Sequence, residues 1–271
     1  MERGAGGTGQ RWTSRSSAGA IAVALLVAAC TPEDAPVIDG PVPRWAAEPE
    51  AFFDAPWPSD ARRDDDGTID LSTFPQNTNV DLLIAYLDRA EELPGYGTAS
   101  PLYVPFEEAP DITRAPSPLD SLTPGAALFL MNIDPSSPSW GETVPIRHEL
   151  LQGETDWHPE HVLAVAPVPG HPLRPATTYA LVVTTAIASP NPDFVATLST
   201  SHALHDPRLT HALTFHGVSL DDIAVASVFT TYDPVEEMAR IADFLQHDLA
   251  PPDLSRSPLE LLATNDDYLA W

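Results

Sequence analysis

Lysine is missing altogether: all 13 basic residues of this 271-residue chain are arginine. That excludes a Schiff-base lysine and the lysine of a phosphate-binding P-loop. Cysteine occurs once, at Cys30, so neither a disulfide framework nor a cysteine-built metal site is available. Positive charge is scarce against 39 acidic residues, and a formal net charge of −26 sets the chain against nucleic acid and anionic lipid headgroups. A bilayer-crossing helix needs about 20 apolar residues, and the most apolar stretch, residues 18–29, is too short for one. A Gly-x-Ser-x-Gly elbow, the tight turn that presents a hydrolase serine, does not occur either.

What is present starts with an address. Arg3, Arg11 and Arg15 precede the apolar stretch, the layout of an export signal. The stretch ends Val27-Ala28-Ala29-Cys30, which resembles the lipobox of bacterial lipoproteins. That resemblance implies cleavage before Cys30, a diacylglycerol on its sulfur and an acylated new amino terminus. Several acyl chains, each buried CH₂ contributing about 0.8 kcal/mol, anchor stably where one would be marginal. The expected location is the cell envelope, the outer membrane in a Gram-negative host because Thr31 rather than Asp follows the cysteine. Residues 1–29 would be the signal peptide and residues 30–50, Pro-rich and acidic, a tether.

Residues 51–250 are expected to fold. The 30 prolines are roughly twice the usual share and disfavour long helices, while a hydrophobic content of 43% suffices for a core. Val80, Leu83, Ile84 and Leu87 follow helical spacing after the cap candidates Asn77 to Asn79, predicting a helix near 79–92 that Pro94 and Gly95 stop. "PLYVPF", "AALFLMNI", "TVPIRHELL", "HVLAVAPV", "TYALVVTTAI" and "IAVASVFTT" read as short strands separated by turn residues. Tyr179, opening a strand after a Pro-containing turn, can lock that corner through its hydroxyl. Asp233, Pro234 and Glu236 predict a second helix near 234–249 that buries Met238, Ile241 and Leu245. Residues 188–222 give no clear pattern, and 251–271 read as a tail or as the truncated start of a further domain.

"FFDAPWPSDARRDDDGTIDLSTFP", the helix after it, "HPLRPATTYALVVTTAI" and "VASVFTTYDP" occur in an order that resembles the N-terminal, Ig-like region of secreted bacterial lipases, the virulence-factor lipase N-terminal domains. The resemblance covers residues 50 to 250. It implies a mainly β fold, an Ig-like antiparallel β-sandwich with two or three flanking helices. In that family an α/β-hydrolase domain follows and holds the nucleophile. Trp271 falls about where that domain would begin, so no family catalytic residue carries over. The chain is therefore expected to be a lipid-anchored, non-catalytic binding or accessory module with a protein or hydrolase-domain partner. The other reading is a fragment of a lipase- or esterase-type hydrolase whose catalytic domain is missing or separately encoded.

Other constellations were weighed. Asp64, Asp66 and Asp70 around Gly67 suggest a calcium loop, but Arg62 and Thr73 fall where the first Asp and the bidentate Glu belong, so an acidic hairpin turn is the better reading. His158 and His161 flank Glu160 at the wrong spacing for a zinc helix, and Pro159 disfavours a helix there. His202, His205, His211 and His216 match no ligand spacing. Trp45, Trp57, Trp140 and Trp157 could form a carbohydrate platform or serve as core anchors. No cofactor or metal is expected.

Overall fold

Thr178–Thr184 reads Thr-Tyr-Ala-Leu-Val-Val-Thr, a run of β-branched and aromatic residues every one of which is buried. A strand with both faces covered must lie inside its sheet. A computed structural model describes residues 40–64 and 67–250, with the strand pair 263–264 and 269–270. Strands β1 (Leu102–Pro105), β2 (Leu128–Asn132), β3 (Thr143–Val144), β4 (Ile146–Leu151), β5 (Val162–Pro167), β6 (Thr178–Thr184) and β7 (Ile223–Thr230) form two antiparallel sheets. One is ordered β3-β2-β6-β7 and the other β1-β5-β4. Leu102, Val104 and Leu163 from the smaller sheet share one core with Leu128, Leu130, Leu181 and Phe229 from the larger. Strand β4 has only Ile146 buried, so its sheet turns one face to solvent.

The outer edge of β7 is sealed rather than left open. The Asp60 carboxylate accepts from the Thr230 N–H (2.9 Å) and hydroxyl (2.7 Å), Ser227 donates to the Pro58 carbonyl, and Asn191 N–H donates to Ala224 O (2.9 Å). At the strand's end Tyr96 N–H donates to Thr230 O (2.9 Å) and Tyr232 N–H to Tyr96 O (3.0 Å). This crossing explains Gly95. A Cβ there would lie 2.8 Å from Thr230 O and from Tyr232 N, so no side chain fits.

Every expected strand region is β, but "TVPIRHELL" is two strands rather than one: it breaks at Pro145, with β3 in the larger sheet and β4 in the smaller. The Tyr179 hydroxyl accepts the Arg174 N–H at 2.9 Å. Several other expectations need correction. Helix α1 (Asp81–Glu91) starts without the Asn cap: Val80 takes that position, while Asn79 donates to Gln76 Oε1 (2.8 Å). Of its apolar face only Leu87, with Ala90, packs on the core, and Val80 is exposed. Residues 188–222 hold two helices, α2 (Pro192–Thr197) and α3 (Pro207–Phe215), capped by Asn191 and Asp206 with Pro at the first position. The 30–50 tether does not run free to residue 50: Pro43 bridges Phe106, Arg44 N–H donates to Pro105 O (2.8 Å), and Trp45 meets Phe194 edge-on.

Helix α4 (Pro234–Asp243) begins as expected, with Asp233 accepting from Val235 N–H and Glu236 N–H, and continues as a π-helical turn over Phe244–Asp248. It does not bury Met238, Ile241 and Leu245, which are 63%, 46% and 54% exposed. Among the described residues its only extensive packing is against its own continuation. The signal peptide, Cys30 and most of the tail lie outside the described residues. In that tail only the pairing of β8 (Ala263–Thr264) with β9 (Leu269–Ala270) is described.

Candidate functional site

Phe52 and Phe53 lie in a single 3-10 turn that Asp54 closes by accepting the Ala51 N–H at 2.7 Å. Three residues on, Trp57 exchanges both backbone hydrogen bonds with Tyr103 of β1, at 2.9 and 2.7 Å. That bridge sets the start of the folded body against the edge of the smaller sheet, and rings gather there. Phe52 meets Phe53 (5.0 Å, 78°), Trp57 (4.9 Å, 39°) and Phe74 (5.0 Å, 72°), and Phe53 meets Tyr103 (6.3 Å, 74°). Near-perpendicular contacts are the favoured geometry for ring quadrupoles, and they build an angled wall of ring edges and faces rather than a flat platform.

These rings, with Trp157, Pro75, Leu151 and His158, line a recess of about 260 Å³. Trp157 sits at its rim, 49% exposed. It is held there by a turn in which Thr155 Oγ1 accepts from the N–H groups of Trp157 (3.1 Å) and His158 (3.2 Å), while Thr155 N–H donates to His158 O (2.9 Å). The Gln76 side chain donates to Asp156 O (3.1 Å), tying this turn to the segment that carries Phe74. An exposed indole on a braced turn costs little entropy to present to a ligand. Burial pushes the Tyr103 phenol up.

Behind the rings lies Arg62, only 7% exposed. Its guanidinium stands 5.0 Å from the Phe52 centroid and 5.9 Å from that of Trp57. It donates to Phe52 O (2.6 Å) and to Thr73 Oγ1 (3.2 Å), and Nε has no partner. No carboxylate among the described residues lies within ion-pair distance of it. Desolvation lowers its pKa, opposed by the charges of Tyr96, Asp70 and Asp54. The cation–π contacts to two rings take the place of an ion pair.

On the other side of the 56–62 segment is a cleft of about 180 Å³, walled by Trp45, Phe194, Leu198 and Leu209. A chain of hydrogen bonds crosses its floor. Arg208 grips Asp206 (2.9 and 3.2 Å) and donates to Thr178 Oγ1 (3.2 Å), which meets Thr230 Oγ1 (3.0 Å), itself a donor to Asp60. Burial alone would raise the Asp206 carboxyl, but the hydrogen bond and charge of Arg208 and two backbone N–H groups outweigh it and hold the pKa low. The same pairing raises Arg208. In the cleft Asp206 and Arg208 are spent on each other, and Arg62, which also lines it, is held by the Phe52 and Trp57 rings, whereas the recess holds ring faces with no charged group among them.

The other singled-out residues go elsewhere. Asp64 O accepts from Gly67 N–H and Asp64 N–H donates to Thr68 O, closing a hairpin turn; Asp70 accepts from Ser72 N–H (2.8 Å), and Asp66 lies outside the described residues. Among the described residues no group of three or more His, Cys, Asp and Glu side chains could hold a metal ion. His205 contacts Thr197 O, His211 faces the Trp140 ring and His216 the Phe129 ring, so the histidine-rich segment is spread along α3 rather than focused. Burial lowers the His216 pKa. Of the four tryptophans considered together, Trp57 and Trp157 do meet, while Trp45 and Trp140 lie apart. Compared with family models and with curated proteins, the chain matches none.

Proposed function

We propose that this chain is an exported binding module, tethered to the cell envelope by lipid on Cys30, built on an Ig-like β-sandwich and acting without catalysis of its own. The observation that carries the binding role is the aromatic recess: rings from residues 52–57, 74, 103 and 157 converge on one opening, and Trp157 is exposed at its rim on a braced turn. Two features support the Ig-like reading. The sheets order as β1-β5-β4 and β3-β2-β6-β7, and Tyr179 at the start of β6 accepts a backbone N–H five residues upstream, as a tyrosine corner does. The lipid anchor is supported by the Val27-Ala28-Ala29-Cys30 sequence.

The test is fractionation of cells expressing the natural chain and the Cys30→Ser variant, with mass spectrometry of the mature product. The natural chain should partition with membranes and carry acyl mass on residue 30, and the variant should be released. An unmodified Cys30, or turnover of ester substrates by the purified chain, overturns the reading. A second reading, a hydrolase fragment working with a separately encoded catalytic domain, is favoured by one observation: the bare apolar side of α4, which a further polypeptide would cover. A Gly-x-Ser-x-Gly segment encoded in the DNA downstream of the codon for Trp271 would decide for it.

A further inference from the structure

Resting on the binding-module reading, we infer that the aromatic recess takes an extended, proline-containing peptide segment flanked by basic residues.

The argument begins with what the recess lacks. No Asp, Asn, Glu or Gln lines it. A sugar brings a hydroxyl on nearly every carbon, and each must be paired when it leaves water, so a site with rings but without planar polar side chains suits sugars badly. A quaternary ammonium or other compact cation is disfavoured for a different reason. The Arg62 guanidinium already lies against Phe52 and Trp57, at 5.0 and 5.9 Å from their centroids, and repels a second cation across the same rings.

What the recess does offer is ring faces and edges turned in different directions, the touching pairs being set at 72° to 78°, together with isolated hydrogen-bond donors. The indole N–H groups of Trp57 and Trp157 and the Tyr103 hydroxyl form no hydrogen bond to any described residue, whereas His158 directs Nδ1 at Pro159 O (2.9 Å) and so offers no donor at Nε2. A polyproline II segment matches both features. Its pyrrolidine rings present compact apolar faces that can pack against the aromatic walls of the recess. Its carbonyls, which have no partner within the helix, need donors when they are buried. The segment is also stiff before it binds, so little ordering entropy opposes the contact.

Charge selects the flanks. The turn that carries Trp157 also exposes Glu154 and Asp156, Asp54 follows Phe53, and the chain as a whole stands at −26. Acidic flanks would be repelled and basic flanks drawn in, with an effect that salt screens.

The experiment uses the full-length Cys30→Ser chain, which needs no detergent. Binding is followed by calorimetry and tryptophan fluorescence with four probes: a proline-only peptide with paired arginines at each end, the same core with paired aspartates, a glycine–serine peptide with the arginine ends, and cellohexaose. The arginine-flanked proline peptide should bind, at least about tenfold more tightly than either peptide control, and more weakly as salt rises. Trp157→Ala should weaken it about tenfold or more with an unchanged circular dichroism spectrum, Trp157→Phe should retain most of the affinity, and Tyr103→Phe should lose part of it. Equal binding of the glycine–serine peptide, or affinity indifferent to Trp157→Ala, overturns the proposal. Cellohexaose binding that depends on Trp157, without peptide binding, overturns the ligand class while leaving a binding module. No binding by any probe, when fractionation and mass spectrometry of the natural chain do find Cys30 acylated, removes the recess as the site and with it the observation carrying the proposed function.

Discussion

Strand β6 and helix α4 are both unmistakable in the sequence, one by its run of β-branched residues and the other by its Asp-Pro start and helical apolar spacing. In the fold they meet opposite fates. Every residue of β6 is buried, flanked by β2 and β7 along its edges. Helix α4 buries none, and Val235, Met238 and Phe244 stand more than half exposed. Periodicity decides which side of an element is apolar, but only a neighbour decides whether that side is covered. The neighbours of β6 are fixed by a backbone ladder, whereas α4 leaves the sheet beyond the Tyr96–Thr231 bridge and, among the described residues, packs extensively on its own continuation alone.

The sharpest way to test this contrast is to truncate one side chain in each. Leu181→Ala, at a residue 1% exposed, should cost about 2–5 kcal/mol in urea unfolding. If it costs no more than a substitution in α4, the division between covered and bare elements fails. Gly95→Ala, which forces a methyl into the backbone crossing that roots α4 beside the sheet, should cost about 1–3 kcal/mol, read as a lower thermal midpoint. Tyr179→Phe keeps the ring of the corner and removes only its acceptor oxygen, so a loss of about 1 kcal/mol is expected.

Acid gives a subtler contrast. The Asp206 pKa is depressed in the fold, so its stabilisation is present above the ordinary Asp range of about 4 and is lost as pH falls through the folded value. Asp206→Asn should change stability at neutral pH by about 0–1 kcal/mol, the pair with Arg208 being partly exposed, and should make the acid limb of the stability curve shallower. The smallest effect belongs to α4: Met238→Gln should move stability by less than about 0.5 kcal/mol while reducing binding of a hydrophobic dye. A large loss there would mean that α4 is covered in solution.

The strands were legible because turn residues bound them and β-branched residues fill them. Helices α2 and α3 were missed although Asn191-Pro192 and Asp206-Pro207 carry the same cap-then-proline signal that announced α4. They are short, and the histidines between them obscured the apolar spacing of Leu209, Ala212 and Leu213. The recess was not legible. Its rings come from four separated stretches, and only the Trp57–Tyr103 bridge brings the first of them to the sheet. Trp57 and Trp157 were both noticed as tryptophans, but nothing in their spacing pairs them. The Pro43 and Trp45 contacts were hidden by a composition that, without the sheet edge to dock on, reads as linker.

The sealed edge of β7 also sets an order of events in time. Asp60 and Thr230, which close that edge, are separated by 170 positions along the chain. Contacts so distant in sequence form slowly, because the loop must be closed before they return any energy. Until β7 forms, the Asp60 carboxylate lacks its partner at Thr230 and β6 shows one unpaired flank. Closure of the larger sheet therefore waits on the latest of its strands in the chain, and the interval before that strand docks is when the chain is most open to wrong pairing.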